Sequence, residues 1–180
     1  MSCEDSEITR ATFAVNGQPC SADADDLTLP LSTWLRTAAG CTDVKEGCNE
    51  GACGACMVIM DGVATNSCLV PVALCDGAEV TTVRAALSSS EGALVARAFA
   101  DADSAQCGFC IGGMICSTVA ALAGSRATPP PVRTDLPDAR HGSDAQLVLD
   151  AHLCRCGGYA RHQQAISTAL AASPDSADSE

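Results

Sequence analysis

Large aromatic side chains are almost absent from this 180-residue chain: three phenylalanines, one tryptophan and one tyrosine make up 3% of it. The rings that usually dominate a core must be replaced by Ala, Val and Leu, within an apolar fraction of 47%. That fraction excludes wholesale disorder, and a core built from small residues gains from cross-links or metal ions. No apolar run approaches the roughly 18 residues of a membrane span. Positive charge is scarce as well. Ten Lys and Arg face 22 Asp and Glu, and the formal net charge of −12 disfavours a nucleic-acid partner. This acidity reads as a solvated surface, with an acidic docking face for a protein as the alternative. There is no GxGxxG after a strand, no P-loop and no nucleophile elbow, so dinucleotide binding and acyl or phosphoryl transfer lack their motifs.

Cysteine, in contrast, is abundant at 13 residues. The odd number, and a polar, acidic start (MSCEDSEITR) without a basic n-region or twin arginines, argue against a secreted disulfide framework. The expected compartment is a reducing cytoplasm, where clustered thiols bind metal. In GCNEGACGAC, Cys48, Cys53 and Cys56 form the C-x4-C-x2-C spacing of a plant-type [2Fe–2S] loop, and Cys68 supplies a fourth thiol further on. Ligands so spaced can curl round two bridged irons. Gly47, Gly51 and Gly54 permit unusual backbone angles and let amide N–H groups approach the sulfurs. Cys68 follows the Asp61-Gly62 turn, so the chain goes out and returns to face the loop. A zinc site fits this spacing less well, because zinc favours C-x2-4-C pairs.

A second constellation comprises Cys107 and Cys110 in QCGFCIGGM, and Cys154 and Cys156 in LCRCGGYARH. Each pair directly precedes an expected helix, whose free N–H groups favour thiolates and a negatively charged cluster. Spacing alone leaves a structural zinc site open here. Arg155 between the thiols either offsets charge, reaches a cofactor phosphate or faces solvent. Cys3, Cys20, Cys41, Cys75 and Cys116 read as small hydrophobes. His141, His152 and His162 are scattered and receive no role.

Strand patterning is expected from Ile8 to Val15, with a hairpin turn at Asn16-Gly17, and in MVIM (57–60) before the Asp61-Gly62 turn, with a last strand from Glu79 to Val83. A helix is expected from about Pro30 to Ala39, and four more over Gly92–Ala100, Gly112–Ala123, Asp144–His152 and Tyr159–Ala171. Strands followed by helices indicate an α+β chain of two small domains. Residues 125–143, with three consecutive prolines, read as an insertion, and residues 173–180 as an acidic tail.

The order GCNEGACGAC, Cys68, QCGFCIGGM and LCRCGGY resembles the iron–sulfur small subunit of the xanthine dehydrogenase or molybdenum hydroxylase family, over roughly residues 8–172. The resemblance implies an N-terminal β-grasp ferredoxin-like domain (7–83) and a C-terminal four-helix domain (84–172), each holding one [2Fe–2S] cluster. It assigns Cys48, Cys53, Cys56 and Cys68 to the first cluster, and Cys107, Cys110, Cys154 and Cys156 to the second. Gln106 and Cys156 would lie near the molybdopterin cofactor of a large partner subunit. Electrons would pass from molybdenum through both clusters to FAD, usually on a medium subunit, or to another acceptor. Gly112 stands where the family usually has proline, so Gly112-Gly113 implies a looser helix start, and Gly157 stands where it has threonine. The alternative is a free two-cluster ferredoxin-like carrier.

Overall fold

A computed structural model describes residues 9–123 and 144–172. The proline-rich insertion, the acidic tail, Cys3 and His141 lie outside the described residues. The chain opens with a hairpin of β1 (Arg10–Val15) and β2 (Gln18–Asp23). Asn16 and Gly17 form its turn with φ of 54° and 74°, the left-handed pair that a two-residue turn between twisted strands demands. Helix α1 (Leu31–Thr37) follows, starting just after Pro30. A second hairpin, β3 (Met57–Met60) and β4 (Val63–Asn66), turns on Asp61 and Gly62 with φ of 50° and 82°.

Strand β5 (Glu79–Thr81) lies between the hairpins, giving the order β2-β1-β5-β3-β4. It runs parallel to β1 and antiparallel to β3. The strand stops short of the expected Val83 because Thr82 is tied sideways. Its N–H donates to Asn16 Oδ1 at 2.8 Å and its hydroxyl to Asp43 Oδ2 at 2.7 Å. Val83 instead opens the short helix α2 (Val83–Ala86), ahead of α3 (Ser90–Asp101), α4 (Ile111–Leu122), α5 (Asp144–Asp150) and α6 (Tyr159–Ala171).

Two apolar clusters share strand β3. On one side Ala11, Phe13, Val15, Val58 and Val80 pack with Leu31, Leu35 and Trp34 of α1. The rings of Phe13 and Trp34 lie 4.9 Å apart, and the indole N–H reaches Asp26 Oδ2 at 3.2 Å. On the other side Met57 and Ile59 join Val95, Phe99, Met114, Ile115, Val148 and Ile166 of the helices. Alternation sends neighbouring residues of a strand to opposite faces, so MVIM is continuously apolar because both faces are covered.

Helix α3 begins one turn after α2 ends, and the junction is tight. Ser89 caps it, its Oγ accepting from the Gly92 N–H at 2.9 Å. A Cβ on Gly92 would stand 1.9 Å from the carbonyl oxygen of Ala86. Alanine gains about 1 kcal/mol over glycine inside a helix, but a clash with backbone cannot be relieved by a rotamer change. Gly92→Ala therefore lowers stability by about 1–3 kcal/mol. Urea unfolding followed by circular dichroism would read this as a reduced midpoint with an unchanged slope, and an unchanged or raised midpoint would refute the packing argument.

Candidate metal centres

Between α1 and β3 the chain carries no regular structure, and its N–H groups are free to converge. Asn49, Gly51 and Gly54 take φ of 56°, 79° and 69°. Asparagine is one of the few side chains that adopts this region readily. Gly47 does not adopt it, contrary to expectation; its small size matters instead, because a Cβ there would stand 2.8 Å from Cys53 Sγ. The result is a nest around Cys48 Sγ, which accepts from the N–H groups of Glu50, Ala52 and Cys53 at 3.5, 3.3 and 3.3 Å. Led by the Glu50 N–H, these donors bring the Cys48 thiol down to about 7.

Cys68 reaches the same place through the second hairpin. Met57 pairs with Asn66, so the chain after β4 arrives beside Cys56, and Ser67 Oγ fixes the return by donating to the Cys56 carbonyl at 2.6 Å. The Cys68 thiol meets that of Cys56 and feels Cys48. Burial first, and then Cys56, push it up to about 12. Cys53 meets Cys48 and is raised by burial. Within the four, the Cys48 thiol interacts most directly with that of Cys53, and the Cys56 thiol with that of Cys68. Asn66, which motif spacing gave no reason to select, braces the loop by donating to the Gly51 carbonyl at 3.2 Å.

The second constellation also forms two pairs. Cys110, at the N-terminal cap of α4, meets Cys154, and both are buried; Cys107 meets Cys156, and both are exposed. Burial and then Cys154 push the Cys110 thiol up to about 12. Cys107 is lowered, chiefly by the N–H of Phe109. Burial alone would raise Cys154, but the N–H groups of Gly158, Cys156 and Gly157 and the Cys110 thiol outweigh it and lower its pKa. These donors belong to the turn that leads into α6 and to its N-cap Gly158, rather than to the expected free N–H groups of the helix's first turn. A buried thiol held protonated beside one drawn toward thiolate is an arrangement that a cation relieves, because metal ligation removes the protons.

Two histidines that spacing passed over belong to this region. His162 Nε2 lies 3.3 Å from Cys154 Sγ. His152 Nε2 pairs with Ser117 Oγ at 2.9 Å, and its Nδ1 lies against the Gly54 backbone. Burial takes the His152 pKa down to about 4, so the ring is neutral. His162 is recognisable only in hindsight: it sits three residues into α6, where side chains lean back toward the helix N-terminus and its thiol.

The two constellations touch through backbone. Leu153 N–H donates to the Cys53 carbonyl at 3.0 Å. A Cβ on Gly54 would stand 2.3 Å from both the Ala151 carbonyl and His152 Nδ1, and one on Gly113 would stand 2.1 Å from the Gly54 carbonyl. Glycine at position 113 thus seats α4 on the first loop. Gln106 and Arg155 are exposed. Of the cysteines read as non-ligands, Cys20 is half-buried, while Cys41, Cys75 and Cys116 are buried, and burial raises all three of those thiols. Among the described residues no helix is long and apolar enough to cross a membrane.

Comparison with known proteins agrees with this geometry. The family model of the [2Fe-2S] binding domain matches residues 82–167, the segment that carries Cys107, Cys110, Cys154 and Cys156. The xanthine dehydrogenase iron-sulfur-binding subunit of Escherichia coli O157:H7 is 37% identical over 165 residues, covering 92% of this chain and 94% of its own length. A nicotinate dehydrogenase subunit from Pseudomonas putida is 38% identical over 163 residues, covering 89% and 94%. In three dimensions the chain matches one from the crystal structure of quinoline 2-oxidoreductase from Pseudomonas putida 86, with a TM-score of 0.69 at 28% identity, over 90% of this chain and 94% of the other. With relatives this similar over nearly their whole length, the chain belongs to the family of iron–sulfur subunits of xanthine dehydrogenase-type molybdenum hydroxylases.

Proposed function

We propose that this chain holds two [2Fe–2S] clusters, one on Cys48, Cys53, Cys56 and Cys68 and one on Cys107, Cys110, Cys154 and Cys156. It carries electrons from a large molybdopterin-binding subunit to FAD on a medium subunit, or to another acceptor. Residues 7–83 act as a β-grasp ferredoxin-like domain and residues 84–172 as the helical domain, in a cytoplasmic complex. The observation that carries this reading is the pairing of the thiols. Each constellation offers two couples of sulfurs, one couple for each iron of a two-iron cluster.

A single zinc ion asks for something else. Zn–S bonds of about 2.3 Å bring all four sulfurs to roughly 3.8 Å from one another. Among the described residues, the one trio of candidate ligand atoms within 4.8 Å is Cys110, Cys154 and His162, not three or four cysteines of either set. Sulfurs spread in two couples suit two bridged irons.

When bound, such a cluster supplies one-electron chemistry at a potential tuned by hydrogen bonds, burial and charge. The protein residues shape that potential and the route through the chain. The nest at Cys48 and the N–H groups before α6 stabilise negative charge on sulfur. The hydrogen bond from Leu153 to Cys53 joins the two loops, so the path from Cys154 to Cys53 crosses only backbone bonds and one N–H···O contact. Exposed apolar side chains flank the thiols: Leu69 beside Cys68, and Phe109, Leu153 and Tyr159 beside the second set. Large exposed apolar groups next to thiols support coverage by partner subunits, with Gln106 and Cys156 on the face turned to the molybdopterin. A free carrier would leave them in water.

Three outcomes test this reading. Purified with its partners, the chain carries about four irons, as two [2Fe–2S] clusters require, together with molybdenum and no stoichiometric zinc. Cys56→Ser and Cys110→Ser each remove about half of the iron and one of two reducible paramagnetic signals; both signals surviving in either variant would refute the ligand assignment. Gly54→Ala forces the loops apart at Ala151 and His152, costs about 1–3 kcal/mol of stability, and slows electron equilibration between the clusters in rapid-mixing reduction of the complex. Unchanged equilibration would exclude the Leu153–Cys53 contact as the connecting route.

A further inference from the structure

His162 is buried, with 1% of its surface exposed, in the first turn of α6. Its Nε2 stands 3.3 Å from Cys154 Sγ, and its Nδ1 has no hydrogen-bond partner among the described residues. A thiolate only accepts hydrogen bonds, so a Cys154 thiolate requires the proton on Nε2. Placing it on Nδ1 would bury a donor with no acceptor among the described residues, which is unfavourable. The sulfur therefore selects the tautomer. The ring reaches this position because residue 158 is glycine: a Cβ there would lie 2.8 Å from His162 Nε2. Tyr159 braces it edge-on, with ring centroids 6.4 Å apart and planes at 83°, and accepts the Cys154 N–H on its phenol oxygen at 2.8 Å.

We propose that His162 is a positioning residue that donates Nε2–H to Cys154 and raises the midpoint potential of the helical cluster. The inference rests on the two-cluster reading above. It differs from the backbone donors in kind, because a side chain can be exchanged and the donor removed alone. Reduction adds negative charge to the cluster and its sulfurs, so an N–H aimed at one of them stabilises the reduced state more than the oxidised state. Low local polarity strengthens the contact. Cys107 and Cys156 are open to solvent and gain less from any one donor, whereas Cys110 and Cys154 form the inner couple. A histidine that merely filled space would have no reason to turn its donor toward sulfur past a glycine.

The experiment is a potentiometric titration of the purified complex, read by electron paramagnetic resonance. The helical cluster is the signal lost in Cys110→Ser, and the other cluster is the internal reference. His162→Leu should shift the helical cluster about tenfold toward the oxidised form at a fixed potential, equivalent to about 59 mV for one electron. His162→Gln, which keeps an N–H donor, should recover part of that shift, while the reference cluster stays in place. An unmoved midpoint in His162→Leu, with its signal intact, would overturn the inference.

If His162→Leu loses the helical signal, the native complex decides. Labelling histidine with 15N should give the helical cluster a weak nitrogen coupling through the N–H···S contact. No coupling would overturn the inference, and a strong one would overturn it in favour of direct ligation of iron by His162. A native complex with no reducible iron signal would overturn the two-cluster reading itself and this inference with it.

Discussion

The contact between the two thiol-bearing loops is the constraint on which the rest of this structure depends. Gly54 has no side chain because the Ala151 carbonyl and His152 occupy the space where one would stand, and Gly113 has none because the Gly54 carbonyl does. Leu153 N–H, meeting the Cys53 carbonyl, closes the same joint. Two small apolar clusters, poor in aromatic residues, would slide past each other if held by dispersion alone. Backbone against backbone, with β3 contributing Met57 and Ile59 to one cluster and Val58 to the other, fixes their register. Buried His152 belongs to this joint: its bond to Ser117 holds a neutral ring on the floor beneath Gly54.

Much of the local structure was legible in the sequence because it rests on short-range chemistry. Asn16-Gly17 and Asp61-Gly62 specify left-handed turns, and both close two-residue hairpins. Expected helix positions were close, since apolar spacing and the cysteine pairs mark where α4 and α6 begin. The limits of β5 were not legible. Thr82 leaves the strand because Asn16 and Asp43 hold it, and both lie far away in sequence. The parallel pairing of β5 with β1 is likewise a product of tertiary packing.

The thiols show the same division. The plant-type spacing selected Cys48, Cys53 and Cys56, and the out-and-back hairpin placed Cys68 with them. Spacing could not say which thiol meets which, because pairing depends on the side on which each approaches. It also passed over Asn66 and His162. Neither belongs to a motif, and each acts by reaching a loop or a thiol distant in the chain. The glycines carried mixed information: Gly51 and Gly54 fulfil the conformational role, whereas Gly47, Gly113 and Gly158 are small because something else must come close.

The inner and outer thiols differ in a way that suits directional transfer. In the helical set Cys107 and Cys156 face solvent beside Phe109, while Cys110 and Cys154 are enclosed. On the proposed two-cluster reading, an electron arriving at the exposed couple would meet, one residue beyond Cys154 toward the chain start, the peptide whose N–H is bonded to Cys53. In the first set Cys56 and Cys68 are buried, and Cys48 and Cys53 are less so. If both thiol sets hold clusters as proposed, passage through Cys154 and Leu153 to Cys53 would cross backbone bonds and one N–H···O contact. Stabilising negative charge on Cys154, through the N–H groups before α6 and through the proposed donor His162, would act on that route at its inner end, where burial disfavours an added electron.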